Sequence, residues 1–280
     1  MTAAFAAEWL KLRKRPAVWV LGIVQLALVV LLDYAVLFLI LLTRPSTVSF
    51  GPGQTAESLR QILYPEHFVT NVLNNFSGGF GGAISLILGV LVVGSEYGWG
   101  TLATVFTQRP GRVETFAGKV AALAAVLAVF DALVFAGGAV AAALIGAYYG
   151  HLTPWPSVGD LVKGLLAAWL LMGLWAGLGV LLSVLFRQSA LAIGLGLVYA
   201  IAVEGIVFGL LGQFSWVRNV EKVFPGANGT ALVDSFGSVG RAPNAPGPVV
   251  GPGQAVLVLL AYLVAFVLLS LLLLRQRDVT

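Results

Sequence analysis

The chain has 280 residues, 59% of them hydrophobic and only 10% charged, with a net charge of +4 and a mean hydropathy of +0.96. A soluble domain carries about 25% charged residues, so a water-soluble enzyme and a nucleic-acid binder are excluded. What remains is transport, intramembrane chemistry or a scaffold within the lipid. With no cysteine, disulfides, thiolate catalysis and cysteine-ligated metal are excluded as well.

Residues 2–15 come first. Phe5, Trp9 and Leu12 share one helical face, whereas Glu8, Lys11 and Lys14 project elsewhere, and Pro16 stops the helix. The pattern predicts an interfacial helix with its aromatics in lipid and its lysines near anionic headgroups. The alternative is a basic tail that only fixes topology.

Six apolar stretches follow, near 17–42, 76–93, 120–148, 165–186, 189–212 and 256–274. About 20 apolar residues span the hydrocarbon core as a helix, so the fold is all-α: a polytopic membrane protein, one domain with six transmembrane helices. The first stretch has 26 residues, too long for a signal-peptide core of about 7–15, and no small-x-small site follows it; it is read as a retained span. Placing both termini in the cytoplasm puts ten of the sixteen Lys and Arg on that side, at the higher density.

Two longer segments then lie outside. In 43–75, Leu59, Ile62 and Leu63 predict a short amphipathic helix ended by Pro65. In 213–253, the stretch from Pro225 to Gly253 holds five prolines and seven glycines and is expected to be irregular.

Between the second and third spans, residues 94–112 carry an apolar stripe of Trp99, Leu102, Ala103 and Phe106, with Thr101, Thr104 and Gln108 on other faces. This predicts a short amphipathic helix stopped at Pro110-Gly111, fit to dock on lipid or in a partner's groove.

Those residues carry a family likeness. The opening Glu8-Trp-Leu-Lys-Leu-Arg-Lys-Arg-Pro16, the run Gly94-Ser-Glu-Tyr-Gly-Trp-Gly-Thr-Leu102 with Thr107-Gln-Arg-Pro-Gly-Arg112 and Gly118-Lys119, and the six-span plan resemble the permeases of type-2 ABC exporters. The resemblance implies that 2–15 is an elbow helix and 94–112 a cytoplasmic coupling helix that inserts into a separate ATP-binding cassette ATPase subunit. Glu96 would open that helix near its positive end. Gly100 would allow close approach, Thr101 and Leu102 would face the partner or the spans, Tyr97 would belong to the contact, and Arg109 and Arg112 would border it. The resemblance also implies a bacterial cell membrane, a second permease copy or similar chain, and ATP with Mg on the partner, with no cofactor in this chain. The bland alternative leaves Glu96 as a helix cap and the arginines as topology signals.

The chain carries no phosphate-binding loop: at Gly118-Lys119 the required glycine and hydroxyl positions are Val113 and Val120. Ser95, between Gly94 and Glu96, lies in no Gly-x-Ser-x-Gly, and the isolated His67 and His151 give no metal-ligand pattern. Asp33, Asp131 and Glu204 fall inside spans, where each costs about 2.5–3.5 kcal/mol on insertion scales. They are candidates for a translocation path, or for pairing or hydrogen bonds with neighbouring helices, or for carboxyls that stay protonated. Pairs Gly78/Gly82, Gly173/Gly177 and Gly205/Gly209 have the spacing of close helix crossings.

The leading expectation is an ABC exporter permease, itself not an enzyme, for a hydrophobic or amphipathic substrate. A proton-coupled transporter using Asp131 and Glu204, and a non-transporting scaffold for an ATPase, are the alternatives.

Overall fold

The computed structural model describes residues 2–43, 55–77, 80–98, 111–211, 214–237 and 247–276, and its regular elements are all helical. Backbone amides have no water partner in hydrocarbon and must bond within the segment, which a helix achieves. Helix α1 (Thr2–Lys14) is followed by α2 (Pro16–Thr43), whose first residue is a proline, tolerated where the amide would be unpaired anyway. The middle of α2, Val29–Val36, winds as a π-helix.

Next come α3 (Ala56–Ile62), opened by a reciprocal Thr55–Ser58 capping box, a 3-10 turn at Pro65–His67, and α4 (Phe68–Asn74). The long helices are α5 (Phe80–Gly98), α6 (Arg112–Tyr149) and α7 (Val158–Phe186). Helix α8 covers 189–211, with a second π-helical stretch at Tyr199–Val207. Short helices α9 (Ser215–Glu221) and α10 (Pro225–Asp234) precede α11 (Pro252–Gln276). Among the described residues α2, α5, α6, α7 and α11 are long and apolar enough to cross a membrane; α8 is apolar over the shorter stretch Ser189–Glu204.

Helix limits differ from the hydropathy pattern. The second span, expected over 76–93, is helical over Phe80–Gly98. Its start is displaced because Asn75 and Phe76 turn back on Val72 and Leu73. It runs on through Ser95 and Glu96 because their polar groups find partners on neighbouring helices. The third span begins at Arg112, eight residues before the expected 120. The helix expected around Trp99–Phe106 lies outside the described residues.

The far-side segments also differ from one another. Leu59 and Leu63 are buried, as a helix ending before Pro65 requires. Pro225–Asp234, expected to be irregular, is a helix: Pro225 sits in its first turn and Asn228, Ala231, Leu232 and Val233 are buried beneath it. Tertiary burial overrides the glycine and proline content.

The tightest crossing joins α5 to α7. A Cβ on Gly89 would strike the Ala176 carbonyl, and one on Gly179 the Leu86 carbonyl. These glycines lie one on each facing helix, so the paired spacing within a single helix did not reveal them. Gly82, Gly173 and Gly177 instead face side chains: Trp175, then Leu263 and Phe266.

The segments opposite α1 descend into the helical body. Arg15 bonds the Leu91 carbonyl on α5; Gly81, ten residues earlier on the same helix, lies about 15 Å away along its axis. At that level Gln25 and Asn75 crowd against Gly81. The turn after α4 therefore lies about 15 Å from the α1–α2 joint along α5, inside the helical body, and α4 enters that body from the side opposite α1, with all of Phe68–Leu73 buried. Such backbone must be satisfied by protein. Gly81 N donates to Asn75 O (3.1 Å), and Trp175 Nε1 on α7 donates to Phe76 O (3.1 Å). Helix α10 descends beside it, with Gly229 against Leu171 and Ser77, and Thr70 Oγ1 donates to Phe236 O (3.0 Å).

Candidate functional site

On the side that carries α1, four charges close a compact cluster. Lys119 Nζ lies 2.8 Å from Glu8 Oε1 and 2.5 Å from Glu96 Oε1; Lys11 Nζ lies 2.9 Å and 2.5 Å from the same two atoms. Two carboxylates and two ammonium groups alternate, so the cluster is formally neutral. Glu8, Glu96 and Lys119 are 5%, 2% and 2% exposed. A buried charge is tolerated only when paired and hydrogen-bonded, and here every charge has two opposite neighbours.

Each element reaches the cluster for a local reason. On α1 the buried stripe is Ala4, Glu8 and Leu12, one residue every turn. It seats on α6 because Gly118 has no side chain: a Cβ there would meet Ala4 Cβ at 2.8 Å and the Phe5 amide at 3.0 Å. Lys119, next in sequence, is thereby delivered to Glu8. Glu96 arrives from the last turn of α5. Just above, Arg15 Nη1 donates to Leu91 O (3.0 Å) and Ser95 Oγ (2.9 Å), pinning the joint between α1 and α2 onto α5. Burial alone would depress the Lys11 ammonium, but hydrogen bonds and charge from Glu96 and Glu8 outweigh it and hold the group above 10.5.

The geometry makes α1 a strap across the two helices that bracket residues 99–110. Helix α1 is bound to α5 through Glu96 and to α6 through Lys119.

Several expected placements change. Glu8 does not project away from the amino-terminal helix's buried face; it is the centre of that face. Glu96 does not open a helix; it lies in the last turn of α5, buried under two lysines, because their charges make its burial affordable. Tyr97, in the same turn, is part-buried. Arg112 is the first residue of α6. Gly100, Thr101, Leu102 and Arg109 lie outside the described residues. Phe5 and Trp9 stack, 6.2 Å between centroids, Leu12 is buried, and Lys14 is exposed. In sequence Lys119 stands out only in the Gly118-Lys119 motif and as one of the basic residues that set topology, and Arg15 and Ser95 show no partner. The available signal was a lysine directly before the apolar stretch that starts at 120, where a buried ammonium needs a carboxylate.

The intramembrane carboxylates are not brought together. Asp33 Oδ2 accepts from Asn75 Nδ2 (3.2 Å), whose Oδ1 accepts from Gln25 Nε2 (3.3 Å). Glu204 Oε1 accepts from Tyr199 OH (2.6 Å). Asp131 is 3% exposed, and its Oδ1 has no hydrogen-bond partner among the described residues. His67 and His151 are not isolated: Nε2 of each faces Glu66, at 3.1 and 3.8 Å. No metal-holding group of three or more such side chains occurs among the described residues.

Comparison with curated proteins finds no match. The family described as ABC-2 family transporter protein matches residues 3–279. That match runs from the strap helix through every long apolar helix of the body, and the chain therefore belongs to the ABC-2 transporter family, whose members are membrane subunits of ABC transporters.

Proposed function

We propose that this chain is the permease of an ATP-driven exporter in a bacterial cell membrane. It would move a hydrophobic or amphipathic compound outward, using energy from a separate ATP-binding cassette ATPase. Both termini and residues 99–110 then face the cytoplasm, the partner holds ATP and Mg, and a second copy or a similar chain completes the route. The observation that carries this reading is the Glu8–Lys11–Glu96–Lys119 cluster. It rigidly joins α1, α5 and α6 at the two roots of the proposed coupling segment, as a part receiving mechanical work requires. Tyr97, Gly100, Thr101, Leu102, Arg109 and Arg112 form the docking surface in this account, and Glu96 transmits from behind it.

The test alters the segment while sparing the cluster. Gly100→Trp with Leu102→Asp is expected to abolish co-purification of the ATPase subunit and drug-stimulated ATP turnover, with the Tm of the isolated permease unchanged. Retention of a fully active complex overturns the docking role, and pumping by this polypeptide alone overturns the need for a partner.

Asp131 favours a second reading, proton coupling, because a buried carboxyl oxygen without a partner suits a proton carrier. Under that reading Asp131→Asn abolishes transport while ATPase binding is irrelevant; under the first, transport still follows ATP.

A further inference from the structure

We propose that Asp33 and Glu204 are positioning residues that latch the two re-entrant segments into the helical body. Each carboxylate holds one segment, and release of both opens the side opposite α1. The inference rests on the transport reading for its purpose, but its geometry stands apart from the ATPase contact.

Both carboxylates lie in π-helical stretches, Asp33 in Val29–Val36 and Glu204 in Tyr199–Val207. Such geometry is rare and concentrates at functional sites. Each faces a segment that dips from the far side. Asp33 grips the first through Asn75, in the turn that follows α4; the same amide is held from below by Gln25, which is fully buried. The fit at this grip is tight, since a Cβ on Gly81 would come within 2.5 Å of Asn75 Oδ1 and 2.6 Å of Gln25 Nε2.

Glu204 meets the second segment at the start of α10. The residue capping that helix is Phe224, which offers no side-chain hydrogen bond. The Glu204 carboxylate supplies negative charge there, favourable at a helix N-terminus. It approaches Gly226 so closely that a Cβ at that position would overlap Oε2. Its other oxygen is fixed by the Tyr199 hydroxyl, five residues earlier on the π-helical stretch.

The two latched segments also hold each other, through Thr70 with Phe236 and Ser77 with Gly229. Rewinding either π stretch to α geometry changes the angle per residue and turns its carboxylate away from its partner. That gives the spans a way to release the two segments without unfolding them.

Hydrogen–deuterium exchange on the full chain in lipid nanodiscs, without any ATPase, tests the pairing. Asp33→Ala is expected to speed exchange in 68–77 about tenfold, the loss of one buried hydrogen bond, and to leave 225–234 unchanged. Glu204→Ala should do the converse. If either alanine variant does not fold, Asn75→Ala reports the first latch and Glu204→Gln the second. Wild-type exchange in the variant's own segment overturns the proposal, as does equal loosening of both segments in either variant. Because no ATPase is present, failure here leaves the docking test untouched.

Discussion

Lys119 on α6 and Glu96 on α5 meet at 2.5 Å across the root of residues 99–110, each only 2% exposed. Removing one member of a buried charge cluster strands the others, at a cost of about 3–5 kcal/mol. Lys119→Met should therefore lower the Tm of the purified permease sharply, since Glu8 and Glu96 would share Lys11 alone. Adding Glu8→Gln restores a one-to-one balance of Lys11 with Glu96. The double variant should be more stable than the sum of the singles, by about 0.5–3 kcal/mol of coupling. Strict additivity would show that the four groups do not act as a unit.

Glycines differ in what stands opposite them, and this predicts a ranking. Gly89→Ala and Gly179→Ala drive a methyl into backbone carbonyls of the facing helix, which cannot rotate away. Each should cost about 1–3 kcal/mol or more. Gly173→Ala meets only Leu263 methyls at 3.7 Å and beyond, ordinary van der Waals contact, and should leave thermal stability within about 0.5 kcal/mol of wild type. Equal Tm values for Gly89→Ala and Gly173→Ala would contradict the close crossing.

The long helices were legible because lipid imposes a length and an apolar composition that hydropathy reads directly. The limits of α5 were not, since Ser95 and Glu96 look like loop residues until Arg15, Lys11 and Lys119 arrive from elsewhere in the chain. The re-entrant helices were missed for a related reason. Helix α4 has only seven residues, and α10 is rich in glycine; their depth is set by Trp175, Gly164 and Leu171 on α7, which no local window contains. Glu8 hid in a basic stretch, where one acid among several cations reads as a solvated charge.

His67 offers a pH test away from the spans. Burial lowers its pKa, against the opposing pull of Glu66, and His151 lowers it further. A histidine with a depressed folded-state pKa favours the fold when neutral. Its contribution is complete above the unfolded value of about 6.5 and is lost as pH falls below it. The permease's Tm should fall between pH 7.5 and 5.5, and His67→Gln should flatten that slope. The neighbouring titratable groups are Glu66 and His151, so His151→Gln is the companion variant; a slope unchanged by either substitution would place the sensitivity elsewhere.

Two tryptophans on α7 give a matched comparison for the re-entrant turn. Trp175 is 2% exposed and donates to the Phe76 carbonyl, which lies in a turn and has no other donor among the described residues. Trp175→Phe removes a donor from that buried carbonyl, a loss of about 1–3 kcal/mol. Trp169 is 40% exposed and donates to Ala124 O (2.9 Å), which lies within a helix. Its carbonyl keeps a helical partner after Trp169→Phe, so that variant should lie within about 1 kcal/mol of wild type. Thermal unfolding in one detergent separates the two outcomes. If Trp169→Phe proved the more damaging, the turn at Phe76 would not depend on the indole, and its support would have to come from Asn75 with Gly81 and Gln25.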